Sequence, residues 1–405
     1  MFEHPELMLL AKRVVAHLEA KSTDQADEVM RVPVSAYADP QRWSEEMDGI
    51  FRKVPLVLGL TAELPGPGTY KAIELLGTPV LVVRSGDGVV RAFLNVCRHR
   101  GAALVDAGCG AARGFRCPYH AWSYDDHGAL IGIYGESTFG DVDRATHGLT
   151  VLPCAERAGF IFGSLTPGVT PRSLGTRPTN STEANSTGGW LDDWLGDYGP
   201  ELDRLGLDRW HLTGRRELEG AGWKVCYDGY LEGYHFQSLH RTTIFTQTMS
   251  NLMVSDAYGP HQRVVFAKHS ASEMLGVPET EWSPADHIGP IYTIFPHISV
   301  AGAWGSQCMI SQLIPGPTHD RSRTIQYFLS RDPLDTDEAR AKAEAHADFL
   351  YQVVRDEDYK TGLDIQRGVG SGANTHFVFG RNEVTLQRFH QWVERLMSEA
   401  DEASM

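Results

Sequence analysis

The chain has 405 residues, enough for two domains that each bury a core. Hydrophobic residues make up 42% and charged residues 22%, the balance of a soluble globular protein. With 52 Asp and Glu against 37 Lys and Arg the formal charge is −15, which argues against nucleic acid or an anionic membrane surface as a partner.

Residues 5–21 place Leu7, Leu10, Val14 and Leu18 along one stripe of a predicted helix. Its apolar stretch Leu7–Leu10 is short and runs into Lys12 and Arg13, so no secretory signal is expected. No run of about 18 apolar residues follows, so no membrane span is expected either. From about 70 to 165, short β-branched runs (Pro79–Val83, Val89–Leu94, Gly159–Phe162) alternate with glycine-rich turns, an antiparallel β pattern. Residues 166–189 are rich in Pro, Ser, Thr, Asn and Gly and read as a linker. Helical patterns follow over Trp190–Leu205 and about 224–245, then strands near 262–267, 291–301, 306–314 and 323–330. A long helix is predicted from near Asp335 to about Gln366, with Glu338, Lys342, Glu344 and Asp348 on its wet side. The expected architecture is α+β: an N-terminal helical segment (1–34), a small β domain (35–165), the linker (166–189) and a larger α+β domain (190–405).

Two Cys–His pairs carry the sharpest chemical signal: Cys97-Arg-His99 and Cys117-Pro-Tyr-His120. Two thiolates and two imidazoles suit a [2Fe–2S] cluster in which Cys binds one iron and His the other. They also suit one zinc, although each pair lies between predicted strands, with Gly101 and Pro118 as turn residues, whereas a zinc finger puts its second pair on a helix. Cys109, Cys154, Cys226 and Cys308 read as core or inert thiols. Six cysteines over this length suggest no disulfide framework, and a cytoplasmic setting is expected.

Downstream lies Trp223-Lys-Val-Cys-Tyr-Asp228-Gly-Tyr-Leu-Glu232-Gly-Tyr-His235-Phe-Gln-Ser-Leu-His240. Two His and one carboxylate on one face of Fe(II) leave positions open for O2. His235 and His240 are five residues apart, about 140° on an ideal helix, so the helix must distort or end between them to share a metal. Glu232 and His235, three apart, share a face.

Cys97-Arg-His-Arg-Gly101, Cys117-Pro-Tyr-His-Ala-Trp122 and the Glu-x2-His-x4-His stretch together resemble the Rieske non-haem iron oxygenases of the ring-hydroxylating type, over roughly 35–370. The resemblance implies an N-terminal all-β Rieske domain and a C-terminal helix-grip domain, an antiparallel sheet wrapped around a long helix. It implies a [2Fe–2S] cluster on Cys97, His99, Cys117 and His120, and a mononuclear Fe(II) on His235, His240 and the Asp of a Glu-Asp pair eight residues before a Gln. Glu357-Asp358 before Gln366 fits, so Asp358 is the expected third ligand, with Asp364 as a competitor and a solvated acidic face over Asp356–Asp358 as the plain alternative. Glu232 is expected to bridge His120 of a neighbouring subunit to His235 in a head-to-tail homotrimer, with or without a small β subunit. Relatives often carry Asn where this chain has Asp228, so Asp228 either points elsewhere or alters the bridge.

The family uses O2 and electrons from a separate NAD(P)H-dependent reductase, with or without a ferredoxin. No G-x-G-x-x-G at a strand–helix junction and no four-cysteine ferredoxin pattern is present, so no fused reductase module is expected. The implied activity is hydroxylation of a small organic, aromatic substrate; demethylation of a methylated amine is the alternative, followed by electron transfer without catalysis and by a zinc-stabilised binding module. Phe236, Phe245, Met249, Met253, Tyr292, Phe295 and Trp304 are pocket candidates that read equally well as core. Monooxygenation and dioxygenation stay equally open.

Overall fold

The computed structural model describes residues 6–169, 171 and 189–404. Most of the predicted linker over 166–189 lies outside the described residues. The chain forms two compact units, residues 51–209 and residues 1–50 with 210–405.

The unit of residues 51–209 is built on three antiparallel sheets. Its five-stranded sheet runs in the order Val151–Leu152, Val90–Leu94, Thr78–Arg84, Thr69–Leu75, Gly108–Ala111. The central strand Thr78–Arg84 is paired on both sides, and Val80, Leu81, Val82 and Val83 are all fully buried. A strand covered on both faces reads as a continuous apolar run, which explains its unbroken Val-Leu-Val-Val. A second sheet joins Cys154–Arg157, Phe160–Gly163 and Leu56–Leu60, and a third joins Gly114–Arg116, Ser123–Asp125 and Leu130–Gly132. Helices Gly189–Leu195 and Tyr198–Leu205 belong to this unit, where Arg157 bonds Asp192 (2.5 Å) and Asp203 (2.7 Å).

The other unit centres on a seven-stranded antiparallel sheet. Its order is His211–Gly220, Ser322–Ser330, Gln307–Pro315, Ile298–Ala301, Ile288–Ile294, His261–Lys268, Thr248–Tyr258. The long helix Val384–Ser404 buries Leu386, Phe389, Val393 and Leu396, a stripe at helical spacing. The Phe389 ring meets Trp223, Tyr227 and Phe295 at 5.1–5.7 Å. A second helical stretch starts at Thr336, whose side chain caps Ala339 N–H (3.1 Å), and runs as Asp337–Val353, a π-helical turn Val354–Tyr359, and Lys360–Val369. The α+β class and the sheet-and-helix catalytic half are as expected.

Two stretches lie on the other side of the division from where the sequence reading put them. Residues 35–50 were expected with the β domain but sit with the seven-stranded sheet, held by specific bonds. Strand Met30–Pro33 pairs with His376–Phe379. Fully buried Glu46 bonds the Trp223 indole (3.1 Å) and the Lys224 ammonium. Residues 190–209, expected with the catalytic half, sit with the β domain through the Arg157 bonds. Composition marks the polar segment but carries no sign of these long-range pairs.

Candidate metal centres

The two Cys–His loops are built alike. Cys97 N–H bonds the Ala102 carbonyl and Cys117 N–H bonds the Trp122 carbonyl, both at 2.8 Å. The Cys97 and Cys117 carbonyls accept from Gly101 N–H (2.9 Å) and Ala121 N–H (3.0 Å). Each loop thus closes on itself with a left-handed residue at its fifth position, Gly101 at φ 82° and Ala121 at φ 58°. Both cysteines are buried within one core cluster that includes Trp122 and Tyr124, while His99 and His120 lie half-buried toward solvent. The two imidazole rings are 4.8 Å apart, and His99 stacks on Trp122 at 5.0 Å.

This donor set fits a two-iron cluster. His120 Nδ1 is buried without a hydrogen-bond partner, as a ring nitrogen reserved for a metal would be. Among the described residues, the only group of three or more metal-type donors with all ligand atoms within 4.8 Å of one another is elsewhere. One tetrahedral zinc would have gathered all four Cys and His donors at closer range than that. The Tyr124 hydroxyl lies 3.5 Å from Cys97 Sγ and accepts from Arg98 N–H (2.9 Å), which leaves its own proton for the sulfur.

The compact group is His235, His240 and Asp358. The helical stretch expected over 224–245 is broken into Trp223–Asp228, Phe236–Leu239 and Ile244–Thr246. His235 precedes the middle piece and His240 follows it, so the chain ends a helix between the two rings, as their spacing demands. Their Nε2 atoms come to 3.2 Å, and Asp358 Oδ1 lies 3.1 Å from His240 Nε2 and 3.6 Å from His235 Nε2. Asp364 instead pairs with Arg367 on the surface, and Asp356 with Arg355.

Each imidazole has a carboxylate on its far nitrogen. Glu232 faces His235 Nδ1 with one oxygen and accepts His235 N–H (3.2 Å) and Tyr234 N–H with the other. Glu357 faces His240 Nδ1 and also accepts the Thr243 hydroxyl (2.8 Å). Such carboxylate–imidazole pairs fix the tautomer and leave both Nε2 lone pairs for a metal. Burial works against charge on His240, but Asp358 and Glu357 together raise its pKa above the ordinary value. Three carboxylates around two imidazoles therefore call for a cation, and 2-His-1-carboxylate chemistry suits Fe(II). Sequence reading named Glu357 only as the neighbour of Asp358. Its role needed the π-helical turn, which sets consecutive residues 357 and 358 on two atoms of one ring.

Asp228 has partners of its own. It accepts the Tyr37 hydroxyl (2.6 Å) and pairs with His390 Nε2 (2.9 Å), a knot tying the N-terminal segment to the C-terminal helix.

The three donors open onto a cavity of about 610 Å³, within the range of small-molecule sites. Phe236, Phe266, Ile244 and Ile291 are among its apolar walls. Of the five aromatic pocket candidates, Phe236 alone lines it. Tyr292 alternates with Ile291 along its strand and so turns to the opposite face, where Trp304 Nε1 bonds its hydroxyl (3.1 Å). Phe295 packs on Phe389, and Phe245 faces His269 beside the cavity-lining Ile244. These four differ from the expectation because strand parity and local turns, not hydrophobicity, decide which rings face the void.

Comparison with known proteins bears on both halves. The family model described as the Rieske [2Fe–2S] domain matches residues 54–142, and the one described as the ring hydroxylating alpha subunit (catalytic domain) matches residues 207–399. The glycine betaine monooxygenase oxygenase subunit of Chromohalobacter salexigens is 32% identical over 209 residues, covering 52% of this chain and 43% of that protein. The anthranilate 1,2-dioxygenase large subunit of Acinetobacter baylyi is 30% identical over 229 residues, covering 54% of this chain and 44% of that protein. The matched stretch thus spans less than half the length of either relative. A crystal structure of the quaternary ammonium Rieske monooxygenase CntA with L-carnitine shares the fold at TM-score 0.74 and 20% identity, covering 91% of this chain and 96% of that one. Naphthalene 1,2-dioxygenase from Rhodococcus sp. bound to indole does so at TM-score 0.72 and 20% identity, covering 98% and 99%.

Proposed function

Because the chain belongs to the Rieske-type ring-hydroxylating oxygenase family, we propose that it is an oxygenase component that uses O2 and electrons from a separate NAD(P)H-dependent reductase, with or without a ferredoxin, to hydroxylate a small organic substrate of aromatic type. The observation that carries this reading is the convergence of His235, His240 and Asp358 at the wall of an apolar cavity. No helix among the described residues is long and apolar enough to cross a membrane, and a cytoplasmic setting is proposed with it.

In this reading Cys97, His99, Cys117 and His120 hold a [2Fe–2S] cluster, and His235, His240 and Asp358 hold a mononuclear iron. When bound, the cluster supplies single electrons and the iron supplies open positions for O2 beside the substrate. The chain's own residues set the stage. Glu232 and Glu357 hold each imidazole with Nε2 facing inward. Phe236, Phe266 and Ile291 bind the substrate's apolar body and exclude water from the reacting atoms. The assembly proposed is a homotrimer, possible also with a small β subunit, in which Glu232 of one subunit meets the partner's cluster imidazole. Its second carboxylate oxygen, now on two backbone N–H groups, fixes the side chain for that contact.

A second reading, demethylation of a methylated amine, is favoured by the 32% identity to a glycine betaine monooxygenase subunit. One experiment separates the two. The reconstituted oxygenase, supplied with a reductase, NADH and O2, is given aromatic and methylated-amine substrates, and the products are weighed. A hydroxylated ring or cis-diol supports the first reading, and formaldehyde release supports the second. Iron-loaded protein with no substrate-dependent O2 consumption on either class would overturn both.

A further inference from the structure

The cavity wall carries one cation that the reaction chemistry leaves unused. Lys268 is the sole Lys or Arg among the lining residues described. It ends the strand His261–Lys268, two residues beyond Phe266, and strand alternation puts both side chains on the cavity face. Thr248, its register partner, lines the cavity too. The ammonium donates to the Asp286 carbonyl (2.9 Å), and among the described residues no carboxylate pairs with it.

The cavity's own acids are already committed. Asp228 is held by Tyr37 and His390, Glu232 by His235, Asp358 faces His240, and Glu383 accepts Gly380 N–H. Between Lys268 and the metal-type donors lies an apolar stretch. The Phe266 ring is 5.2 Å from Phe236, whose ring is 5.0 Å from His235. A cation at one end of an apolar chamber, with the reactive centre two rings away, matches a ligand that is anionic at one end and apolar along its body. An ionic contact at one end of the ligand also fixes its orientation, which decides the carbon presented to the metal donors.

We propose that Lys268 anchors a substrate carboxylate, so that the cavity takes a small acid whose apolar body lies along Phe266 and Phe236 and whose far end meets His235, His240 and Asp358. This rests on the reading of that cavity as the substrate chamber. It narrows both readings above to carboxylates and sets plain hydrocarbons aside.

The test is calorimetric titration of the intact, iron-loaded protein without reductant, so that binding is read apart from turnover. The probes are benzoate beside benzamide, and trimethylglycine beside its amide. At least one acid should bind about tenfold or more tightly than its amide, a difference of about 1.4 kcal/mol. Lys268→Met should bring the two within about twofold, and Lys268→Arg should keep the preference, with melting temperatures confirming that both variants fold. Equal affinity for acid and amide, binding of neither acid, or a preference that survives Lys268→Met would overturn the proposal. An oxygenase active on neutral substrates with no acid preference would sink this inference alone. Lys268-dependent acid binding without turnover would sink the oxygenase reading and leave the anchor standing.

Discussion

Glu357 and Asp358 are adjacent in sequence and address opposite nitrogens of one ring, Glu357 at Nδ1 of His240 and Asp358 at 3.1 Å from Nε2. The first orients the imidazole and the second shares its metal-facing side. Replacing Glu357 by Gln keeps the shape but removes the charge that holds the tautomer. Glu357→Gln should weaken iron retention at the His235–His240–Asp358 site by roughly 10–100-fold. Iron analysis after dialysis against a chelator reads this, and the visible spectrum of the cluster should not change. Full retention of iron would show that the pair is only structural.

The matched loops make opposite predictions for two small residues. A non-glycine residue in the left-handed region costs on the order of 1 kcal/mol. Ala121, at φ 58°, bears that cost, whereas Gly101, at φ 82°, avoids it. Ala121→Gly should raise the melting temperature of the β unit by about 2–4 °C, and Gly101→Ala should lower it by a similar amount. A Cβ at Gly101 would meet nothing within 4 Å, so the second effect is backbone strain alone.

Tyr124 offers its hydroxyl proton to Cys97 Sγ at 3.5 Å. Hydrogen bonds to cluster sulfurs stabilise the reduced, more negative state and raise the potential. A bond worth about 1 kcal/mol corresponds to on the order of 40 mV for one electron. Tyr124→Phe should lower the cluster potential by about that much in a redox titration. An unchanged potential would mean that the proton points elsewhere.

His297 is buried, with its Nδ1 3.2 Å from the Leu313 carbonyl, and burial pushes its pKa down to about 4. Free in the unfolded chain it titrates near 6.5, so as pH falls the unfolded state takes the proton first. Its effect is therefore absent above about pH 7 and grows as a destabilisation between about 6.5 and 4. At about 1.4 kcal/mol per unit, the loss reaches roughly 3 kcal/mol. Stability of the catalytic unit followed over that range should fall with acid, and less steeply in His297→Leu. Equal slopes would remove His297 as a cause.

What the sequence made legible follows from how local the signal was. The Cys–His loops announce themselves because four rare donors sit at short spacing, and their self-closing turns need no distant partner. The His235–His240 spacing even required the break in the helix that the fold supplies. Strands His211–Gly220 and Thr248–Tyr258 gave no clear signal because they are the two edges of the seven-stranded sheet, where one side is unpaired and polar residues persist. Glu357 facing His240 and Tyr37 reaching Asp228 join residues 117 and 191 positions apart. No local pattern encodes such pairs. Four of the five aromatic pocket candidates went elsewhere for a related reason: hydrophobicity reports burial, not which side of a strand meets the cavity.

The most direct measurement is iron stoichiometry with the visible and paramagnetic spectra of the purified chain, beside Asp358→Ala. Two cluster irons and one mononuclear iron give about three per chain in a red-brown protein. Asp358→Ala should fall to about two with the cluster spectrum intact. Iron-loaded protein that is colourless, or an Asp358→Ala variant that keeps its third iron, would contradict the account.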